Sequence, residues 1–582
     1  MALLCPFINT TMKKTIIILL LLIGFGATAQ EFKTTDSLVI QLKSGNALTA
    51  IVTQNKALKM PLPAILRYSV YASIASDKFF NSVACARGYV GVTVYVRGKY
   101  LSRQQADPFA HDAQDAWEVI DWVSKQPWCN GKVGMYGASY LGFSQWASVK
   151  SLHPALKTIV PQSAVGIGVD FPAHNNINLG YSLKWIHYTT DSKLLDNKTI
   201  SEFSDQKKWN AVFNTLFTSG KSFASLDTLE GRPNGKFQEW LQHPAYDGYW
   251  KKLTPTPREY ARLNIPILTI AGYFDVDQSG ALDYLKKHYH NNKNAEHYLV
   301  LGPYDHLGLQ NMTMSPTVGG YKLDSVAIFK IYKLTFDWFD YVLKGGQKPA
   351  MLKDRINYEV MGANQWQHAP GLEKMGTKKI SFFLNADQGK APYQLNTTIN
   401  SNSNPIVQTI DFKDRADTVS GNINPLILDS TINVGKNSLV FESDTFKEQV
   451  SIAGTLEGEL KAIINKKDVD ISFQLYEKMS NGTYLQLYND MLRASYSKDH
   501  SKRQLIIPGK ATSIRLTNNT FFVSRKISKG SKLIFVLGVP LEPGIEINYG
   551  SGKAVSQETI ADARQAMIIN WLPKSFLTLN VL

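Results

Sequence analysis

The chain has 582 residues, room for several domains, and its 44% hydrophobic and 19% charged residues describe a globular protein. The formal charge is +15, yet Lys and Arg are scattered without a run of five, so a nucleic-acid surface is excluded and the charge serves solubility. Of three cysteines, Cys5 lies in a leader-like stretch; Cys85 and Cys129, the two that remain, are too few for a disulfide framework, and neither has a histidine beside it, which argues against a cysteine enzyme and a zinc site.

At the N-terminus, Met12-Lys13-Lys14 is a basic start, Thr15 to Gly26 is almost wholly apolar, and Ala27-Thr28-Ala29 precedes Gln30 as a small-residue cleavage site. The expectation is a signal peptide over 1–29 with Met12 as the start. The apolar run is far short of the ~20 residues a spanning helix needs. The mature protein is therefore expected to be periplasmic or extracellular, with no membrane segment.

"SLVIQLKSGNALTAIVTQ" then reads as a β-hairpin turning at Ser-Gly-Asn. "LPAILRYS" and "GYVGVTVYV" read as buried strands. "HDAQDAWEVIDWVSKQP" has helical spacing, with Ala113, Trp117, Ile120 and Val123 predicted on one face. "KVGMYG" and "LKTIVPQS" are further strands separated by the helix "SYLGFSQWASVKS". Alternating strands and helices imply a parallel sheet covered on both faces, over 36–165. From 166 to 258 the alternation lapses into aromatic and polar stretches such as "YSLKWIHYTTD", read as a helical insertion. Over 259–350 the sheet pattern resumes with "IPILTIAGYFD", "SGALDYLKKHYHN", "HYLVLGPYDH" and a long helix, "SVAIFKIYKLTFDWFDYVLKG", ended by Gly345-Gly346. Over 351–582 short alternating strands, from "RINYEVMG" to "SFLTLNVL", predict an all-β jelly roll or sandwich.

Ser139 stands between Gly137-Ala138 and Gly142, after a strand and opening a helix. It is either a plain helix cap or a nucleophile on a sharp elbow. In an open parallel sheet, ligands meet the carboxyl ends of strands, and there the backbone N–H of Tyr140 can face a developing oxyanion. A serine nucleophile needs a base and an orienting carboxylate, in the chain order Ser, acid, His. Asp275 follows "ILTIAGYF" and His306 follows "HYLVLG"; His288, His290 and His297 sit in or after a polar helix. Taken singly, Asp275 could be a helix cap and His306 a loop residue. Their shared placement at strand ends favours a triad. Leu141 departs from the strict G-x-S-x-G pattern.

Several segments resemble the cocaine esterase / X-Pro dipeptidyl-peptidase (CocE/NonD) family of α/β-hydrolases: "LPAILRYSVY", "ARGYVGVTVYVRG", "DAWEVIDWVSKQPWCNGKVGMYGASYLG", "GYFDV", "LGPYDHLG", "DWFDYVLKG", "YEVMGANQW" and "NDMLRASYS". The G-x-S-Y-x-G elbow is that family's own form. The resemblance implies an α/β-hydrolase domain with an inserted helical cap and a C-terminal jelly roll. It implies acyl transfer through Ser139, His306 and Asp275 on an ester, amide or short peptide, without cofactor or metal. It also implies a tyrosine hydroxyl in the oxyanion hole, for which Tyr71 is the candidate although Val70 replaces the usual proline before it. The usual D-x-R-G appears as "YVRG", with Tyr95 in a structural role. Amino-ester-cleaving relatives hold the substrate ammonium on carboxylates; Asp277 and Asp170 are the candidates, with Gln278 where a second acid would help. An inert ligand-binding scaffold and an acyltransferase remain the alternatives.

Overall fold

The computed structural model describes residues 31–582 except 58, 103, 193, 311–314, 377, 387–390, 401–403, 416–426, 433 and 517–520. The signal expected over 1–29 lies outside the described residues. Strands β1 (Phe32–Gln41) and β2 (Ala47–Asn55) form the expected antiparallel hairpin. They are followed by β3 (Leu62–Ser69), helix α1 (Ile74–Ala86), β4 (Val90–Tyr95), α2 (Asp112–Ser124), β5 (Cys129–Ser139), α3 (Tyr140–Ser148) and β6 (Leu156–Ala164). A short hairpin over Ala173–Asn178 leads into the cap helices α4 (Tyr181–Thr190), α5 (Asn197–Ser204) and α6 (Gln206–Ser219), and shorter helices run on to Arg262. The sheet resumes with β7 (Ile267–Phe274), α7 (Gln278–Asn291), β8 (His297–Asp305), α8 (Ile331–Lys344), β9 (Ile356–Val360) and β10 (Gln365–Ala369).

The ten strands lie in the order β1-β2-β4-β3-β5-β6-β7-β8-β9-β10, with parallel pairing from β4 through β9. All six residues of β4 are buried, as a sheet covered on both faces requires. Ala64, Leu66 and Val92 on one face share a core with Phe143, Trp146 and the cap residues Leu183, Trp209 and Trp240. Ile65, Val160 and Leu301 on the other join α8 and the apolar interior of the second domain in one continuous core.

Three sequence expectations need correction. The buried side of α2 is Ala116, Val119, Ile120 and Val123 together with Asp112 and Asp115, while Ala113 and Trp117 are only half-buried. Both acids can turn inward because each has a partner: Arg97 grips Asp115 with two bonds of 2.6 Å, and the Tyr140 hydroxyl donates to Asp112 at 2.6 Å. Helix α8 begins only at Ile331, because Ser325 and Val326 bond Asn364 instead, and Gly345 ends it at φ 73°. Finally, "RINYEVMG", expected to open the β domain, is β9. All five of its residues are buried, it runs parallel to β8, and with β10 it carries the first sheet beyond 350.

From Lys378 onward fourteen strands among the described residues join in an all-β domain, antiparallel there except where Tyr393–Asn396 pairs with Ser438–Ser443. The structure is thus a mixed α/β sheet domain with a helical insertion and an antiparallel β domain.

Candidate active site

Ser139 ends β5 and precedes α3 with φ 61° and ψ −124°, a conformation that non-glycine residues rarely adopt and that lifts the side chain off the strand. The elbow is tight. A Cβ on Gly142 would stand 2.6 Å from Ala164 Cα, and one on Gly137, at φ 144°, would stand 2.6 Å from Leu141 Cβ. Ser139 makes no side-chain cap bond to α3, so the plain capping reading fails, and the side chain stays half-buried rather than sealed in.

Asp275 follows β7 and is wholly buried; His306 follows β8 with its side chain 29% exposed. Their Nδ1–Oδ1 distance is 2.9 Å. Asp275 Oδ1 also accepts the Asp277 N–H at 3.0 Å. Burial pushes the Asp275 carboxyl up, but the charge and bond of His306, with the Ser163 hydroxyl and the Asp277 amide, outweigh it and hold the group below its ordinary range. An ionised carboxylate can only accept, so Nδ1 carries the proton and Nε2 is left to act as a base. Burial pulls the His306 imidazole down, yet the negative charges of Asp275 and Asp277 carry it up to about 9. Asp277 Oδ2 lies 3.5 Å from the same Nδ1. Ligand-type atoms of Asp275, Asp277 and His306 lie within 4.8 Å of one another, the spacing of a metal site, but the Nδ1 such a site would use is committed to the Asp275 bond.

Tyr71 lies just past β3. Its phenol accepts a bond from Trp185 Nε1 at 3.2 Å and lies within electrostatic reach of the Ser139 side chain. Burial raises the phenol to about 12, so it stays protonated and able to donate. The Tyr140 side chain points away into the core, toward Asp112, which leaves its backbone N–H at the start of α3 as the group near Ser139.

The two candidate ammonium ligands part ways. Asp170 accepts the N–H groups of Gly166 at 2.8 Å and Gly280 at 2.6 Å, tying the start of the cap to the first turn of α7. It thereby satisfies a first-turn amide of α7, whereas Asp277 occupies the N-cap position of that helix without a side-chain cap bond and faces His306 instead. Burial, then the nearby charge of Asp275, push Asp277 above the ordinary carboxylate range against the pull of His306. Gln278 stands where a second acid was considered, and its amide explains the residue. Nε2 donates to Gly272 O at 2.7 Å and Phe522 O at 3.0 Å, while Oε1 accepts the Phe522 N–H at 2.5 Å. A carboxylate could not make the two donations.

Sequence reading missed Trp185, Ser163 and His174. Trp185 meets Tyr71 across 114 positions. His174, bonded to Asp490 of the β domain at 2.6 Å, lies within electrostatic reach of Asp277. No local spacing announces such pairs.

The profile described as X-Pro dipeptidyl-peptidase (S15 family) matches residues 45–308, and that of the X-Pro dipeptidyl-peptidase C-terminal non-catalytic domain matches 350–569. The cocaine esterase of Rhodococcus sp. (strain MB1 Bresler) is 23% identical over 541 residues, spanning 86% of this chain and 90% of that protein. An aminopeptidase from a marine sediment archaeon, Thaumarchaeota archaeon, superposes with a TM-score of 0.79 at 18% identity, over 95% of this chain and 97% of that one. An α-amino acid ester hydrolase superposes with a TM-score of 0.75 at 18% identity, with the same coverage. At these identities the structural likenesses establish the fold.

Proposed function

The chain belongs to the cocaine esterase / X-Pro dipeptidyl-peptidase (CocE/NonD) family of serine hydrolases, and on that premise we propose that it is an exported hydrolase of esters or amides of small acyl or aminoacyl groups, working through an acyl-enzyme on Ser139. The observation that carries the reading is the 2.9 Å bond between His306 and Asp275, formed at the ends of two neighbouring parallel strands. His306 Nε2 takes the Ser139 proton as Oγ attacks the carbonyl carbon, and later returns it to the leaving alcohol or amine. Asp275 fixes the tautomer and offsets the imidazolium charge. The Tyr71 hydroxyl and the Tyr140 N–H receive the oxyanion. Water, activated by the same His306, then splits the acyl-enzyme.

Asp277 supports the aminoacyl preference. A nearly buried carboxylate that declines its own helix and faces the catalytic histidine is placed to pair with an α-ammonium group. The test is a screen of matched p-nitrophenyl esters, aminoacyl anilides and X-Pro dipeptide anilides, with fluorophosphonate labelling of Ser139. Turnover of aminoacyl substrates above their N-acylated counterparts is expected. Absence of labelling and of all turnover would leave the inert scaffold.

A further inference from the structure

One buried ion pair has no part in the reaction as described. Lys99, wholly buried, donates through Nζ to Asp196 Oδ1, to Thr189 O at 3.0 Å and to Ser192 O at 3.3 Å. Asp196 Oδ2 accepts the Ala72 N–H at 2.7 Å, and the Asp196 N–H donates back to Ala72 O at 3.2 Å. Ala72 is the residue after Tyr71. The pair therefore bolts the turn between α4 and α5 onto both backbone groups beside the Tyr71 side chain. The same helix α4 supplies the groups that flank the phenol: Tyr188 stacks on the Tyr71 ring at 5.6 Å and 20°, and Trp185 bonds its oxygen.

Stability alone does not account for such a pair. Two charges removed from water pay a desolvation cost that their attraction barely offsets, and apolar side chains of similar volume commonly fold as well or better. What the ion pair supplies and an apolar pair would not is direction: a fixed acceptor for Ala72 N–H and a fixed donor for the end of α4. We propose that Lys99 and Asp196 are positioning residues that lock the cap to the Tyr71 turn and so aim the phenol at the oxyanion formed on Ser139. The proposal rests on Tyr71 being an oxyanion donor.

The test compares Tyr71→Phe, Lys99→Met/Asp196→Leu, Lys99→Met/Asp196→Asn, and Lys99→Met/Asp196→Leu combined with Tyr71→Phe. Each is scored for kcat and KM on an acetyl ester, and for folding by circular dichroism and thermal melting. The Met/Leu pair should fold and lose kcat by up to about 10²-fold, the scale of a roughly 1 Å misplacement, with KM little changed. The Met/Asn pair should recover part of the loss, because the Asn amide oxygen still accepts the Ala72 N–H. In the Tyr71→Phe background the Met/Leu pair should cost nothing further, since the group it aims is gone. An unchanged kcat in Met/Leu, a full additional loss without the Tyr71 hydroxyl, or failure of Met/Leu to fold would each overturn the proposal. A Tyr71→Phe effect without a clamp effect sinks the clamp alone; an unchanged kcat in Tyr71→Phe sinks the oxyanion assignment and the clamp with it.

Discussion

Two carboxylates facing one imidazole nitrogen give this site a pH behaviour that neither would give alone. Neutral His306 is the reactive form, and its pKa is raised from the ordinary ~6.5 to about 9 by Asp275 and Asp277. Activity should therefore fall as pH drops through that raised value, so the acid limb of kcat/KM lies on the alkaline side of ordinary imidazole. Asp277→Asn removes one of the two charges, and with an acetyl ester the limb should move toward lower pH. The same variant should lose roughly ten- to a hundredfold in kcat/KM on substrates with a free α-amine, the value of one charge-assisted contact. A pH–rate series on the two substrate types reads both effects; an unmoved limb would show that Asp277 does not act on His306. Ser139→Ala is the complementary limit, with an expected loss of about 10⁶ in kcat and of fluorophosphonate labelling.

At the level of elements, the parallel strands were legible because each is a short apolar run between turn residues, and the elbow because small residues crowd one serine. What could not be read was where an acid turns inward. Helix α2 buries Asp112 and Asp115, and those burials depend on Tyr140 and Arg97, which no periodicity relates to them. Likewise β9 looks like a β-domain strand locally and is assigned to the first sheet only by its pairing with β8. The roles of Asp277 and Asp170 turn on contacts made between segments far apart in the chain. Beneath β7 and β8 lies a second consequence of unseen pairing: His288 and His297 are wholly buried, 3.2 Å apart through their Nδ1 atoms, and His297 also bonds Thr269 at 2.8 Å. Burial lowers both imidazoles below their ordinary value. The unfolded chain binds protons there first, so stability is complete above ~6.5 and falls as pH drops below it, by up to about 1.4 kcal/mol per pH unit for each histidine. Thermal melting between about pH 7 and 5 should show that slope, and His297→Gln should flatten it while lowering the plateau; equal slopes would remove the pair from the account.

Across the whole molecule, the β domain is hydrogen-bonded to the elements that carry the site rather than attached as an appendage. Arg493, wholly buried, holds Asp470 with two bonds of 2.8 Å and Glu546 at 2.7 Å, and Glu546 in turn accepts the Asn178 backbone and side-chain N–H groups at 2.9 Å from the start of the cap. Gln278 makes the second seam, directly after Asp277, by exchanging hydrogen bonds with the Phe522 backbone. That seam can be tested by one near-isosteric change. Gln278→Glu keeps the shape but removes the Nε2 donor, leaving Gly272 O and Phe522 O facing carboxylate oxygens. At acid pH the introduced carboxyl, once protonated, would restore one donation, so the cost should stay near the roughly 1–3 kcal/mol of a lost buried bond. At higher pH the choice is between an unpaired buried charge, costing about 3–5 kcal/mol, and a carboxyl kept neutral at the expense of a raised pKa. In both cases the folded-state pKa lies above the unfolded ~4.3, so the variant loses stability relative to wild type as pH rises through ~4.3 and beyond. Melting midpoints of the two proteins should thus converge toward pH 4 and diverge toward neutrality. A constant gap across that range would mean that water reaches Gln278, and that the seam between the β domain and the catalytic acid is looser than its hydrogen bonds imply.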